Sequence, residues 1–131
     1  MEIETLSTKH PKIKSNRSTD PSLLTFDIPS LVEEIKHKTF WAKEGLDTMI
    51  LSKSPAKKIV LTIMQSGTKI ESFQSNDSIT FQIIEGLLKF HNRMGSVFLG
   101  KGQMLTLHEK IKYSLTTREE TVFLITITND H

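Results

Sequence analysis

Between Gly67 and Gly86 the chain reads Gly67-Thr68-Lys69-Ile70-Glu71-Ser72-Phe73-Gln74-Ser75-Asn76-Asp77-Ser78-Ile79-Thr80-Phe81-Gln82-Ile83-Ile84-Glu85-Gly86. Residues 70–73 and 79–84 are short runs of apolar, β-branched and aromatic side chains, the composition of strands. Between them Ser75-Asn76-Asp77-Ser78 collects turn formers, whose side chains compete for the backbone in extended structure. Ser66-Gly67-Thr68 and Glu85-Gly86 close the two ends as further turns. The segment therefore predicts strand, turn, strand.

The same rhythm runs outward on both sides. Upstream, residues 48–51 form a short strand, Pro55-Ala56-Lys57-Lys58 a turn, and 59–64 a strong strand. Downstream, strands are predicted at 87–91, 96–99, 104–108, 112–115 and 121–128. Asn92-Arg93-Met94-Gly95, Gly100-Lys101-Gly102 and Glu109-Lys110 interrupt them. About eight or nine short strands at close spacing argue for an antiparallel sandwich or barrel rather than βαβ units.

One helix precedes them. Ser30-Leu31-Val32-Glu33 has the form of a capping box, with Ser30 as N-cap, and Leu31, Val32, Ile35 and Phe40 recur at helical spacing. The helix is predicted over residues 31–37. Trp41, the only tryptophan, is expected to cover an end of the core. Residues 1–22 are polar and read as a flexible tail, leaving 23–131 as a single domain with its barrel core at about 48–128.

Composition removes several function classes. The 131 residues carry 17 Lys and Arg against 15 Asp and Glu, a net charge of only +2, so no nucleic-acid partner is expected. Cysteine is absent, which excludes disulfides, thiolate catalysis and thiolate metal sites. No apolar run approaches a membrane-spanning helix, so no membrane partner is expected and a cytoplasmic location is the default. Phosphate-binding glycine loops and a hydrolase nucleophile elbow are also missing from the sequence.

The glycine-bounded segment resembles the first motif of the cupin family, G-x5-H-x-H-x3-E-x6-G, with Gly67 and Gly86 as its glycines and the spacing kept. Gly102 similarly opens the second motif, G-x5-P-x-G-x2-H-x3-N. Met104-Leu105-Thr106-Leu107-His108-Glu109 and Glu119-Glu120-Thr121-Val122-Phe123-Leu124 resemble a single-domain bacterial branch of that family. The resemblance covers about residues 48–128. It implies an all-β, jelly-roll barrel with a short N-terminal helix.

The resemblance also locates the metal ligands that such barrels use, and here they fall on Phe73, Ser75, Ile79 and Tyr113. Divalent metals need imidazole and carboxylate donors converging on one point. Phenylalanine and isoleucine have no lone pair to give, and neutral hydroxyls are poor ligands. The usual site is therefore expected to be lost, with no metal, no cofactor and no catalytic residue. In the family these positions face into the barrel, and strand alternation then adds Phe81, Ile83, Ile111 and Leu115. Phe73, Ser75, Ile79, Phe81, Tyr113 and Leu115 are the candidate ligand-binding residues. They form either a packed core or a chamber for an apolar or aromatic small molecule, with Tyr113 and Ser75 as polar handles.

Five histidines remain: His10, His37, His91, His108 and His131. No pair has the spacing of a strand or helix metal site. His108 with Glu109 or Glu85 could serve as an epimerase-like dyad, but adjacent strand residues face opposite ways, and His108 reads better as a polar rim residue. The final strand is apolar on both faces up to Thr126, which implies a partner surface and a homodimer, with residues 23–28 as an exchangeable segment. The resemblance then implies a non-catalytic cupin domain that binds a small molecule or a partner. The alternative is a cupin enzyme, an isomerase, epimerase or dioxygenase, with an atypical site.

Overall fold

The structure is a computed structural model and describes residues 23–37 and 45–129. Residues 1–22, Phe40, Trp41, His10 and His131 lie outside the described residues. The described residues belong to two compact units, one holding the helix and one holding the strands.

In the first unit, α1 spans Ile28–Lys36 and starts three residues earlier than the sequence predicts. Its N-cap is Asp27, not Ser30. The Asp27 carboxylate accepts from the Ser30 amide at 3.3 Å and from the Ser30 hydroxyl at 2.9 Å. An aspartate oxygen thus satisfies an amide that the first turn leaves without a partner. Pro29 fits behind it because early helical positions need no N–H. Leu31, Val32 and Ile35 form the buried face, as their spacing predicts. Residues 23–27 are irregular, not a strand. At the other end His37 is the C-cap, its ring Nδ1 2.7 Å from the Glu33 carbonyl oxygen.

The second unit holds nine strands: β1 Leu46–Lys53, β2 Lys57–Met64, β3 Lys69–Phe73, β4 Ser78–Glu85, β5 Leu87–Asn92, β6 Gly95–Gly100, β7 Met104–Leu107, β8 Lys112–Thr117 and β9 Thr121–Thr128. They form two antiparallel sheets. The five-stranded sheet runs β1-β2-β9-β4-β7 and the four-stranded sheet runs β3-β8-β5-β6. Consecutive strands often belong to different sheets, which is the jelly-roll arrangement. Every sequence-predicted strand is present, most of them longer by one or two residues at an end.

The core lies between the sheets. From the five-stranded sheet come Met64, Ile79, Phe81, Ile83 and Phe123, and from the other sheet Leu88, Phe90, Leu99, Tyr113 and Leu115. Each such side chain contributes roughly 1.5–3 kcal/mol on full burial. On β2 every residue from Val60 to Met64 is buried, so that strand is covered on both faces. Leu61 and Ile63 share their outward face with Val122 of β9, which is also buried. One core-facing hydroxyl, Thr62 Oγ1, is buried with no hydrogen-bond partner among the described residues.

Corners between the sheets are tied by main-chain and threonine hydrogen bonds. Gly86 takes the chain from β4 to β5 at φ +98°, directly after a register shift between Ile83 and Glu85. Thr121, fully buried, accepts from the Leu87 amide at 3.1 Å and lies 2.9 Å from the Glu119 carbonyl oxygen as a donor. Thr117 plays the same part at the β2–β3 turn. Its hydroxyl donates to the Gln65 carbonyl at 2.7 Å and accepts from the Thr68 amide at 3.2 Å.

Candidate functional site

The register of β3 against β8 decides which side chains enter the barrel. Ser72 pairs with Tyr113 and Phe73 with Lys112. Directly opposed residues of an antiparallel pair share a face. Tyr113 is in the core cluster, so Ser72 faces inward and Phe73 outward with the lysine. The structure accordingly leaves Phe73 53% exposed, and Ser75 is exposed as well. These two depart from the inward placement that the resemblance implies: the register turns Phe73 outward, and Ser75 lies in the connection after β3, where strand alternation does not apply.

Gln74, which the sequence reading passed over, is the buried member of this segment at 1% exposure. Its amide Nε2 donates to the Leu107 carbonyl at 3.2 Å and its Oε1 accepts from the Asn76 amide at 3.3 Å. The Gln74 amide donates to the Ile111 carbonyl at 3.0 Å. Gln74 thus pins the β3–β4 connection to the β7–β8 connection. A polar side chain flanked by turn formers gives no periodic signal that could have marked it as buried.

The other four candidates are inside. Ile79, Phe81, Tyr113 and Leu115 are all buried in the same cluster. Phe81 sits at its centre, 5.9 Å from Phe90, 5.7 Å from Tyr113 and 6.2 Å from Phe123 between ring centroids. Tyr113 stacks on Phe90 at 5.5 Å with 17° between the planes. Rings at these distances are in contact. Around the central phenylalanine the rings of Phe90, Tyr113 and Phe123 are all in contact with it.

The four positions at which the resemblance implies metal ligands therefore hold two exposed side chains, an aliphatic one and a buried phenol. Moving one residue to the inward neighbours Ser72 and Gln74 supplies only neutral oxygens and an amide already engaged by backbone. Among the described residues no three His, Asp or Glu side chains are grouped to hold a metal ion. The donor set does not fit a divalent cation. His108 and Glu109 are both exposed, beyond the end of β7. Leu107 pairs with Ile79, while Glu85 lies six residues along β4, roughly 20 Å away at strand rise. His108 and Glu85 cannot form a dyad.

Among the described residues Tyr113 is the one titratable group in the interior. Burial pushes its phenol above the ordinary 10.0, and a hydrogen bond with the Ser72 side chain pulls it part of the way back. Because the folded value is raised, the folded state keeps a proton that the unfolded chain gives up. Stability from this source is complete below pH 10 and falls as pH rises through the folded value. Tyr113→Phe should change stability at pH 7 by less than about 1 kcal/mol. It should also remove part of the loss between pH 9 and 11. Denaturant midpoints of both proteins at these pH values check this, and 295 nm absorbance follows the single tyrosine directly. Identical pH slopes for the two proteins would contradict a buried phenol.

A different feature carries open volume. A cleft of about 240 Å³ lies where β3, β8 and β5 approach the β5–β6 hairpin, and Glu71, His91, Arg93, Lys112 and Ser114 are among its walls. Tyr113 touches it from the barrel side. Sequence reading did not find this cleft, because its residues come from three segments that only strand pairing brings together.

No family model and no curated protein matches the sequence. Solved structures do resemble the fold. A cupin-2 domain protein from Shewanella frigidimarina aligns over 80% of this chain and 95% of its own, with TM-score 0.62 and 12% identity. The cupin domain of Schizosaccharomyces pombe Cnp3 covers 81% and 74%, with TM-score 0.63 and 16% identity. Ectoine synthase from P. lautus covers 73% of each chain, with TM-score 0.62 and 18% identity. At these identities the likeness is one of fold. Among the described residues no helix is long and apolar enough to cross a membrane.

Proposed function

This chain has the cupin fold, and from that premise we propose that it is a non-catalytic binding or interaction module, acting as a homodimer without a bound metal. The observation that carries the reading is the aromatic cluster of Phe81, Phe90, Tyr113 and Phe123. The rings pack against one another inside the barrel, and among the described residues no group of His, Asp and Glu side chains is placed to hold a metal ion. On this reading the rings pack as core and binding uses the outer surface. The fold alone does not choose between roles, since one of its bearers is a synthase by name and another a domain of a larger protein.

Native mass spectrometry tests the reading. The protein, purified without a nickel column, should run as a dimer at the bare polypeptide mass. It should remain so after exposure to iron(II), nickel(II) or zinc(II) and desalting. A stoichiometric metal adduct would overturn it and put the alternative first, an isomerase, epimerase or dioxygenase with a rebuilt site. A monomer would overturn the dimer.

A further inference from the structure

The outward face of the four-stranded sheet is laid out by register. Glu71, Ser114, His91 and Ser96 form one cross-strand row, and Lys112 stands opposite Phe73 in the next. The cleft lies at the end of this sheet and takes side chains from both of its faces: Glu71, Ser114, His91 and Lys112 stand on the outward face, and Ser72, Asn92 and Tyr113 on the inward one.

Its charge is unbalanced. Glu71 is the only carboxylate lining it, and Lys69 already sits 3.6 Å from that group. Arg93 and Lys112 have no ion-pair partner among the described residues. The neutral donors are also prepared. His91 Nδ1 lies 2.7 Å from the Ser96 hydroxyl, which holds the ring and leaves Nε2 without a protein partner among the described residues. Asn92 Oδ1 accepts from the Met94 amide at 2.8 Å, which leaves its NH2 group to donate elsewhere. A guanidinium, an ammonium, an imidazole, an amide and a hydroxyl thus line a small open volume whose only lining acid has a lysine beside it. Arginine's fork matches the oxygens of a tetrahedral oxyanion, and a second cation favours a doubly charged one.

We propose that this cleft binds the phosphate group of a small molecule, through Arg93 and Lys112 with His91, Asn92 and Ser114 as hydrogen-bonding partners. The proposal deepens the binding role above and rests on it. The cleft is smaller than a typical pocket for a drug-sized ligand, so it holds the phosphate and leaves the remainder of the ligand outside. Phe73, exposed beside Lys112, offers a flat apolar surface for an organic body.

The test is an NMR titration of the whole chain with inorganic phosphate, phenyl phosphate and acetate at constant ionic strength. Phosphate should give saturable shifts confined to the amides around residues 71, 91–93 and 112–114, and acetate should bind more weakly. Arg93→Gln combined with Lys112→Gln should weaken phosphate by about tenfold or more. The double variant changes only exposed side chains, so its unchanged thermal midpoint shows that the fold survives. Tighter binding of phenyl phosphate identifies a phosphomonoester as the ligand class, whereas equal binding identifies free phosphate. Shifts that fail to saturate, that acetate reproduces equally or that survive the double variant overturn the proposal. Such a failure leaves the metal-free reading intact, because native mass spectrometry decides that one separately.

Discussion

Gly86→Ala is expected to leave little folded protein. Its φ of +98° alone would cost an alanine about 1–2 kcal/mol. An added Cβ would also lie 2.5 Å from the Glu120 carbonyl oxygen and 2.6 Å from the Thr121 Cα. Both obstacles are backbone, so neither can swing aside as a flexible side chain does. Moving them disturbs the Thr121 hydroxyl, which bonds the Leu87 amide and fastens the β4–β5 corner. The combined loss should be about 4 kcal/mol or more, a large share of a small domain's stability. Gly67→Ala is the matched control. Gly67 has φ +78° but nothing within 4 Å of the added carbon, so only the conformational cost of about 1–2 kcal/mol applies. Urea unfolding of the two variants measures the difference. Equal losses would mean that the corner yields and that the backbone around Thr121 makes room for the added carbon.

Phe81→Ala should destabilise by about 3–5 kcal/mol, the range for deleting a large aromatic from a packed interior. Phe81 is fully buried and meets Phe90, Tyr113 and Phe123, three rings drawn from both sheets. Its removal leaves a cavity that rings on opposite sheets cannot close without moving strands. The same variant distinguishes a core from a ligand chamber. In a chamber Phe81 would face open volume, and its loss would cost under about 2 kcal/mol because few packed contacts would be broken. A small loss in urea unfolding, with a cooperative transition retained, would sink the packed-interior description and restore the barrel centre as a binding pocket.

Residue chemistry explains why so much was legible in advance. The strands announce themselves because their apolar runs are short and punctuated by turn formers such as Ser75-Asn76-Asp77-Ser78 and Asn92-Arg93-Met94-Gly95. Neither motif of the resemblance kept its metal donors, and that loss did not depend on orientation, since phenylalanine and isoleucine cannot ligate from either face. Less local features were harder to see. The N-cap moved to Asp27 because Pro29 permits an earlier helix start than the Ser30–Glu33 pattern suggests. Gln74 is buried because two connections meet around it, and no window of sequence contains both.

By itself, then, the sequence determined the number and spacing of the strands, the glycine corners at Gly67 and Gly86, and the absence of metal-donor chemistry at four positions. Each of these depends on side chains or backbone freedom that a residue carries with it wherever it lies. Tertiary structure alone decided which of those residues enter the barrel. Facing is inherited from the register with a neighbouring strand, not from the alternation of a segment that passes through a turn. Ser72 pairs with Tyr113, and that single pairing turned Phe73 outward. Strand pairing likewise brought Glu71, His91 and Lys112, from three separate segments, around one cleft.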